Sequence, residues 1–172
     1  MGYRGLRVLL NPTVNKFVMD PEQTVETTYY NSCYRHGVDG KRRVQIPAKW
    51  RPARDGIELT VIMWPGSSAG TCLRLLPPQQ MAKLVSDVEA LPNADLTKPV
   101  LKRLIGSGSE QVTLDKAGRI CLPEAMAHAA DIKKEAVLLG ALDRIEIWSP
   151  ERYEKVQMAD SVMASEVLKL MG

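Results

Sequence analysis

Two nonapeptides, DGKRRVQIP at residues 39–47 and DKAGRICLP at residues 115–123, share an Asp, an Arg four residues later, a β-branched residue after it and a closing Pro. In such a unit the Asp carboxylate can accept backbone N–H groups and fix a tight loop, while the Arg projects a planar guanidinium with five donors. That fork suits phosphate or guanine, because it can bond bidentately to either. A constant spacing of 76 residues pairs Asp39 with Asp115, Arg43 with Arg119 and Pro47 with Pro123. The residue types also allow a plainer reading, in which each Arg only bridges its own Asp and stabilises the turn.

The surrounding charge favours an anionic partner. Residues 35–54 carry Arg35, Lys41, Arg42, Arg43, Lys49, Arg51 and Arg54 against Asp39 alone, although the whole chain is only +3. Cations concentrated in this way match a phosphate chain, which engages several at once. Catalysis and metal binding find little support. Cys33, Cys72 and Cys121 form no CxxC pair and read as reduced thiols. Cys33 and His36 on one strand would point to opposite faces, so they are not expected to form a nucleophilic pair. The Gly/Ser tract at residues 106–109 lacks the lysine of a phosphate loop. We expect no catalytic residue, no metal, no cofactor and no small-molecule substrate.

A duplicated half-domain must position the two loops. Each half, at about 70 residues, would be a marginal core alone, so the copies are expected to pack on one another. Tyr29, Tyr30, Tyr34 and Val38 lead into the first loop as a strand, and Val44 and Ile46 leave it with period two, Gln45 facing the other way. Pro47 can open a short helix over residues 48–53. Residues 57–64 and 71–76 read as a hairpin around a loop at 65–70, and that loop accounts for four residues absent from the second copy. Helices are expected over 79–91 and from about 99, ending at 106–109. The second copy then repeats the order: strand 111–114, loop 115–119, strand 120–122, helix 123–130, and a hairpin of 137–139 with 145–148. Ser149 and Pro150 start a last helix with a ragged apolar stripe through Val156, Val162, Met163, Val167, Leu168 and Met171. Trp148 is expected in the core. With Phe17 the sole Phe, stacking on single-stranded nucleic acid is disfavoured.

Hydrophobic and charged fractions of 45% and 25% suit a soluble globular protein, and no run approaches the roughly 18 apolar residues of a membrane span. The opening MGYRGLRVLLNPTV is broken by Asn11 and Pro12 and reads as neither export signal nor lipid anchor.

The first motif with its IPAKWR continuation, the second motif, and the later VLLGALDRIEIWSPERYE together resemble the MraZ family of bacterial transcriptional regulators over about residues 29–157. The resemblance implies an α+β, mainly β fold: a duplicated swapped-hairpin β-barrel of two SpoVT/AbrB-like domains with peripheral helices. It divides the chain into an N-terminal extension (1–28), a first domain (29–78), linking helices (79–108), a second domain (109–152) and a C-terminal helix (153–172). It further implies a cytoplasmic, nucleoid-associated homo-oligomer, often ring-shaped. Such an assembly binds repeated boxes in double-stranded DNA upstream of the division and cell-wall gene cluster and represses it. Neither a membrane nor a cofactor takes part. A barrel used instead for protein–protein contact, as in an antitoxin or assembly protein, is the alternative.

Carried onto this chain, the DNA-binding residues are Lys41, Arg42, Arg43, Lys49, Arg51, Lys116 and Arg119. Asp39, Asp115 and Gly118 shape the loops, Arg43 is the first choice for direct contact, and Gln45 is a weaker candidate for base edges. Three departures from the family pattern stand out. Arg42 replaces the usual Gly, which requires either a left-handed non-Gly residue or a different turn. Ala127 replaces an Arg, leaving the second half less basic. Residues 1–28 have no family counterpart.

Overall fold

The computed structural model describes residues 29–171, so the expected extension at 1–28 lies outside the described residues. The first copy contributes β1 (Cys33–Gly37), β2 (Arg43–Gln45), a 3-10 turn (Ala48–Trp50), β3 (Leu59–Ser67) and β4 (Gly70–Leu76). Two helices follow, α1 (Pro78–Glu89) and α2 (Thr97–Ser107). The second copy supplies β5 (Ser109–Val112), β6 (Arg119–Cys121), α3 (Glu124–Ala129), β7 (Glu135–Gly140) and β8 (Ile145–Trp148), before α4 (Pro150–Lys169). The result is the α+β, mainly β architecture that the sequence implied.

The copies interleave. A six-stranded antiparallel sheet runs β1-β7-β8-β4-β3-β5, and a two-stranded ribbon pairs β2 with β6. The first strand of each copy therefore joins the hairpin of the other: β1 pairs with β7, and β5 with β3. Equivalent residues meet themselves on an approximate two-fold axis, Val44 opposite Ile120 in the ribbon and Arg74 opposite Glu146 in the sheet. Like charges facing one another across two strands would repel. At the sheet position the copies have diverged to opposite charges, with Arg74 Nε 3.3 Å from Glu146 Oε1 and the guanidinium stacked 4.0 Å above the Trp64 ring.

Period-two alternation buries one face of the ribbon. Val44, Ile46, Ile120 and Leu122 are fully inaccessible and share one core with Val61, Leu73, Leu75, Leu138, Ile145 and Ile147 of the sheet. Burying each such side chain contributes about 1.5–3 kcal/mol, so the ribbon is anchored by its inner face while its outer face stays available. Trp148 is buried as expected, with Cys72 and Val137 beneath Tyr153 and Val156 of α4.

Two local expectations change. The helix expected at 48–53 is only the 3-10 turn Ala48–Trp50, because Pro52 forces Arg51 into extended backbone (φ −74°, ψ 143°). The loop expected at 65–70 is mostly strand, and Pro65 pairs with Thr71. Pro65 lies beyond the stretch of β3 that β5 covers, beside a register shift between Pro65 and Ser67, where a missing N–H is tolerated.

Candidate nucleic-acid interface

The two Asp-to-Arg loops enter the ribbon from opposite ends, with Arg43 opposite Cys121 and Gln45 opposite Arg119. In the first, Asp39 Oδ1 accepts the N–H groups of Lys41 and Arg43 at 2.9 Å each, and Oδ2 accepts Arg43 Nε at 2.8 Å. In the second, Asp115 Oδ1 accepts from Ala117 N at 2.9 Å and Arg119 N at 3.0 Å, and Oδ2 accepts Arg119 Nε at 3.0 Å. The backbone N–H of Arg43, opposed by partial burial and helped by its guanidinium and the Lys41 N–H, holds the Asp39 carboxyl down at about 2. The Arg119 N–H leads the same set of bonds in lowering Asp115. Both carboxylates are thus charged at neutral pH and serve the loop shape.

Each loop also hands a carbonyl to the opposite strand. Ile46 N donates to Gly118 O at 3.0 Å, and Leu122 N donates to Arg42 O at 2.9 Å. Turning that carbonyl across the ribbon requires left-handed backbone, with φ +76° at Gly118 and +60° at Arg42. Of the two outcomes open for Arg42, the structure takes the left-handed non-Gly residue, a conformation that costs roughly 1–2 kcal/mol.

Different arginines brace the two sides of the ribbon. After the first ribbon strand, Arg51 Nε donates to Ile46 O at 2.9 Å, and its guanidinium lies over Gly118, where an added Cβ would stand 2.3 Å from Cζ. Gly118 therefore makes room for Arg51. Across the axis, Arg42 Nε donates to Leu122 O at 3.2 Å, the carbonyl equivalent to that of Ile46. Arg42 thus reaches from the neighbouring loop to the carbonyl two-fold related to the one that Arg51 bonds. Ala127, the counterpart of Arg51, is 3% exposed and packs from α3 into the core. The weak contact of Arg42 Nη1 with Glu124, at 3.9 Å, adds to this bracing.

The remaining site residues divide into those at the loops and those elsewhere. Arg43, Gln45, Arg119 and Cys121 all belong to the outer face of the ribbon, in registers Arg43–Cys121 and Gln45–Arg119. Gln45 braces the second loop, its Nε2 donating to Ala117 O at 2.9 Å and Gly118 O at 3.1 Å. Its two-fold equivalent Cys121 does likewise with Lys41 O at 3.2 Å. Lys41 and Lys116 sit exposed on the loops. Lys49 lies apart, bonded to Asn31 Oδ1 at 2.9 Å and Ser32 Oγ at 3.2 Å, and Arg35 turns away to Glu154 at 3.3 Å. In contrast, Arg51 and Arg54 of the first copy come to line a cleft beside the second loop, together with Lys116. Both arginines are close in sequence to the first loop and far from the second. The signal that could have placed them is the Pro52 break, which turns this segment away from its own loop. Among the described residues no cluster of His, Cys, Asp and Glu could hold a metal ion.

A family model described as "MraZ protein, putative antitoxin-like" matches residues 105–167. The chain is similar to the "Transcriptional regulator MraZ" of Clostridium tetani (strain Massachusetts / E88), 32% identical over 127 residues, which cover 74% of this chain and 86% of the relative. It is likewise 32% identical over 133 residues to the protein of that description from Roseiflexus sp. (strain RS-1), covering 77% and 89%. Over 137 residues it is 31% identical to that from Ruegeria sp. (strain TM1040), covering 73% and 80%.

Proposed function

The chain belongs to the MraZ family of transcriptional regulators, and we propose that it is a homo-oligomeric, sequence-specific repressor of the division and cell-wall gene cluster that includes its own gene. It acts at the nucleoid, on repeated boxes in double-stranded DNA. The observation that carries this reading is the outer face of the ribbon. There Arg43 is held at one end of its guanidinium by Asp39, and no protein group among the described residues bonds its two terminal nitrogens. A preset fork with free donors matches the paired acceptors of guanine or a phosphate.

Contacts from Lys41, Arg42, Arg51, Lys116 and, at greater distance, Lys49 supply register and affinity. A homo-oligomer is supported by α4, whose far half exposes Met158, Val162, Met163, Val167 and Leu168. Several loop pairs on one assembly then engage successive boxes with higher combined affinity than one chain alone.

The test is footprinting on the DNA upstream of the protein's own gene, with native mass measurement of the same sample. A discrete oligomer protecting short repeated boxes is expected. Retention on heparin with no protection of that DNA beyond an unrelated duplex would leave only generic basicity.

A further inference from the structure

A cleft of about 510 Å³ opens against the flank of the second loop, between the segment after the 3-10 turn and residues 114–118. Three cations line it. Arg51 spends only its Nε on Ile46 O, and Arg54 and Lys116 make no hydrogen bond or ion pair with any described residue. Two acids share the wall. Asp115 is already occupied by Arg119 and the loop N–H groups, which leaves Asp55 as the unpaired anion. The cleft therefore carries an excess of uncompensated positive charge.

The two-fold related place beside the first loop is built differently. There Ala127, Ala130 and Ile132 are buried, and Lys133 is paired with Asp131 at 2.8 Å. The positions equivalent to Arg51 and Arg54 are thus the buried Ala127 and Ala130, which carry no charge. The contrast follows from Pro52. It stops the first copy from continuing a helix where the second copy forms α3, and so leaves a gap with Arg51 and Arg54 on its wall.

We infer that this cleft seats a backbone phosphate of bound DNA, held by Arg51, Arg54 and Lys116. The inference rests on the DNA-binding reading and adds to it a residue, Arg54, and a location on one flank only. Two guanidinium groups beside an ammonium match the tetrahedral oxygens of a phosphodiester, and Arg51 is prepositioned by its bond to Ile46 O. Phosphate contacts carry no base information, so the seat contributes affinity and register to sequences of every kind.

The experiment measures binding to duplex DNA from upstream of the protein's own gene across a salt series, for the full chain and for Arg54→Ala, Lys116→Ala and Asp55→Asn. All three positions are exposed, so the variants are expected to melt with the parent. Loss of one phosphate contact flattens the log–log salt slope by about 0.9, expected for Arg54→Ala and for Lys116→Ala on specific and unrelated duplex alike. Asp55→Asn is expected to bind several-fold more tightly, because it removes the unpaired anion from the seat. A parental slope in Arg54→Ala, or weaker binding by Asp55→Asn, overturns the seat while leaving DNA binding intact. Failure of the parent chain to bind overturns both.

Discussion

The two loops share a motif, a turn and nearly equal exposure, yet their arginines are used differently. The Arg43 and Arg119 side chains are 33% and 31% exposed, so accessibility does not separate them. Bonding does. Each arginine donates Nε to Oδ2 of its own Asp, but Arg119 Nη1 also lies 3.8 Å from Asp39 Oδ2, across the axis. Arg119 thus faces the carboxylates of both loops, while Arg43 pairs with that of its own loop. The local bridge is present in both copies, and the proposed DNA fork falls to Arg43, which makes no contact across the axis. Duplication allows this because one brace across the axis serves both loops.

The comparison is broken most directly by removing each arginine in turn. Arg43→Ala is expected to cost about 1–3 kcal/mol of discrimination between specific and altered boxes, roughly tenfold to hundredfold in relative affinity, with little change in melting temperature. Arg119→Ala is expected to do the reverse, lowering the melting temperature more and discrimination less. Titration of both variants on matched and mismatched duplexes, beside thermal melts, separates the roles. Equal loss of discrimination from the two, with unchanged melting, would make them equivalent readers.

The second comparison concerns the bracing behind the loops, where Arg51 serves one side and Arg42 the other. Ala127→Arg forces a long cation into a position that is 3% exposed and packed in the core, and overpacking of this kind destabilises by about 1–3 kcal/mol. The double variant Arg42→Gly with Ala127→Arg frees the Leu122 carbonyl for the new guanidinium and is expected to recover part of that loss. Arg42→Gly alone should change stability little. It relieves a left-handed non-Gly residue but gives up a hydrogen bond from a charged donor, effects of similar size and opposite sign. Denaturant melts of the three variants form a double-mutant cycle. Additive effects of the two substitutions would show that the exchange is coincidental.

The features legible in the sequence were those with a local cause. Asp39 and Asp115 bond N–H groups two and four residues on, so spacing alone located both loops, and Val44 and Ile46 betrayed the buried ribbon face by alternation. The MraZ resemblance supplied the interleaved topology, which no local pattern specifies. Cross-copy contacts stayed hidden. Arg42 reaches Leu122, Gln45 reaches Gly118 and Arg51 covers Gly118, all about 70 to 80 positions away in sequence, and such partners are chosen by packing across the axis. Arg54 was visible only as one charge among seven. Its place beside the second loop depends on how far Pro52 carries the chain, which periodicity does not reveal.

The smallest expected effect concerns the two carboxylates and decides how cleanly the first comparison can be made. Both are lowered from 3.8, Asp39 to about 2. A carboxyl depressed in the folded state adds stability that is complete above its unfolded value and is lost as pH falls through its folded one. The loops should therefore hold from neutral pH down to about 4, with Asp39 yielding between 3.8 and about 2. Carboxyl carbon resonances followed through an acid titration would show it, and an Asp39 midpoint at or above 3.8 would mean that the loop bonds do not form in solution. In Arg43→Ala the midpoint should rise only partway. The strongest influence on Asp39 is the backbone N–H of residue 43, which alanine keeps, followed on the lowering side by the guanidinium and the Lys41 N–H. The first loop then retains its turn when its reader is removed, and the lost discrimination belongs to the guanidinium rather than to a collapsed loop.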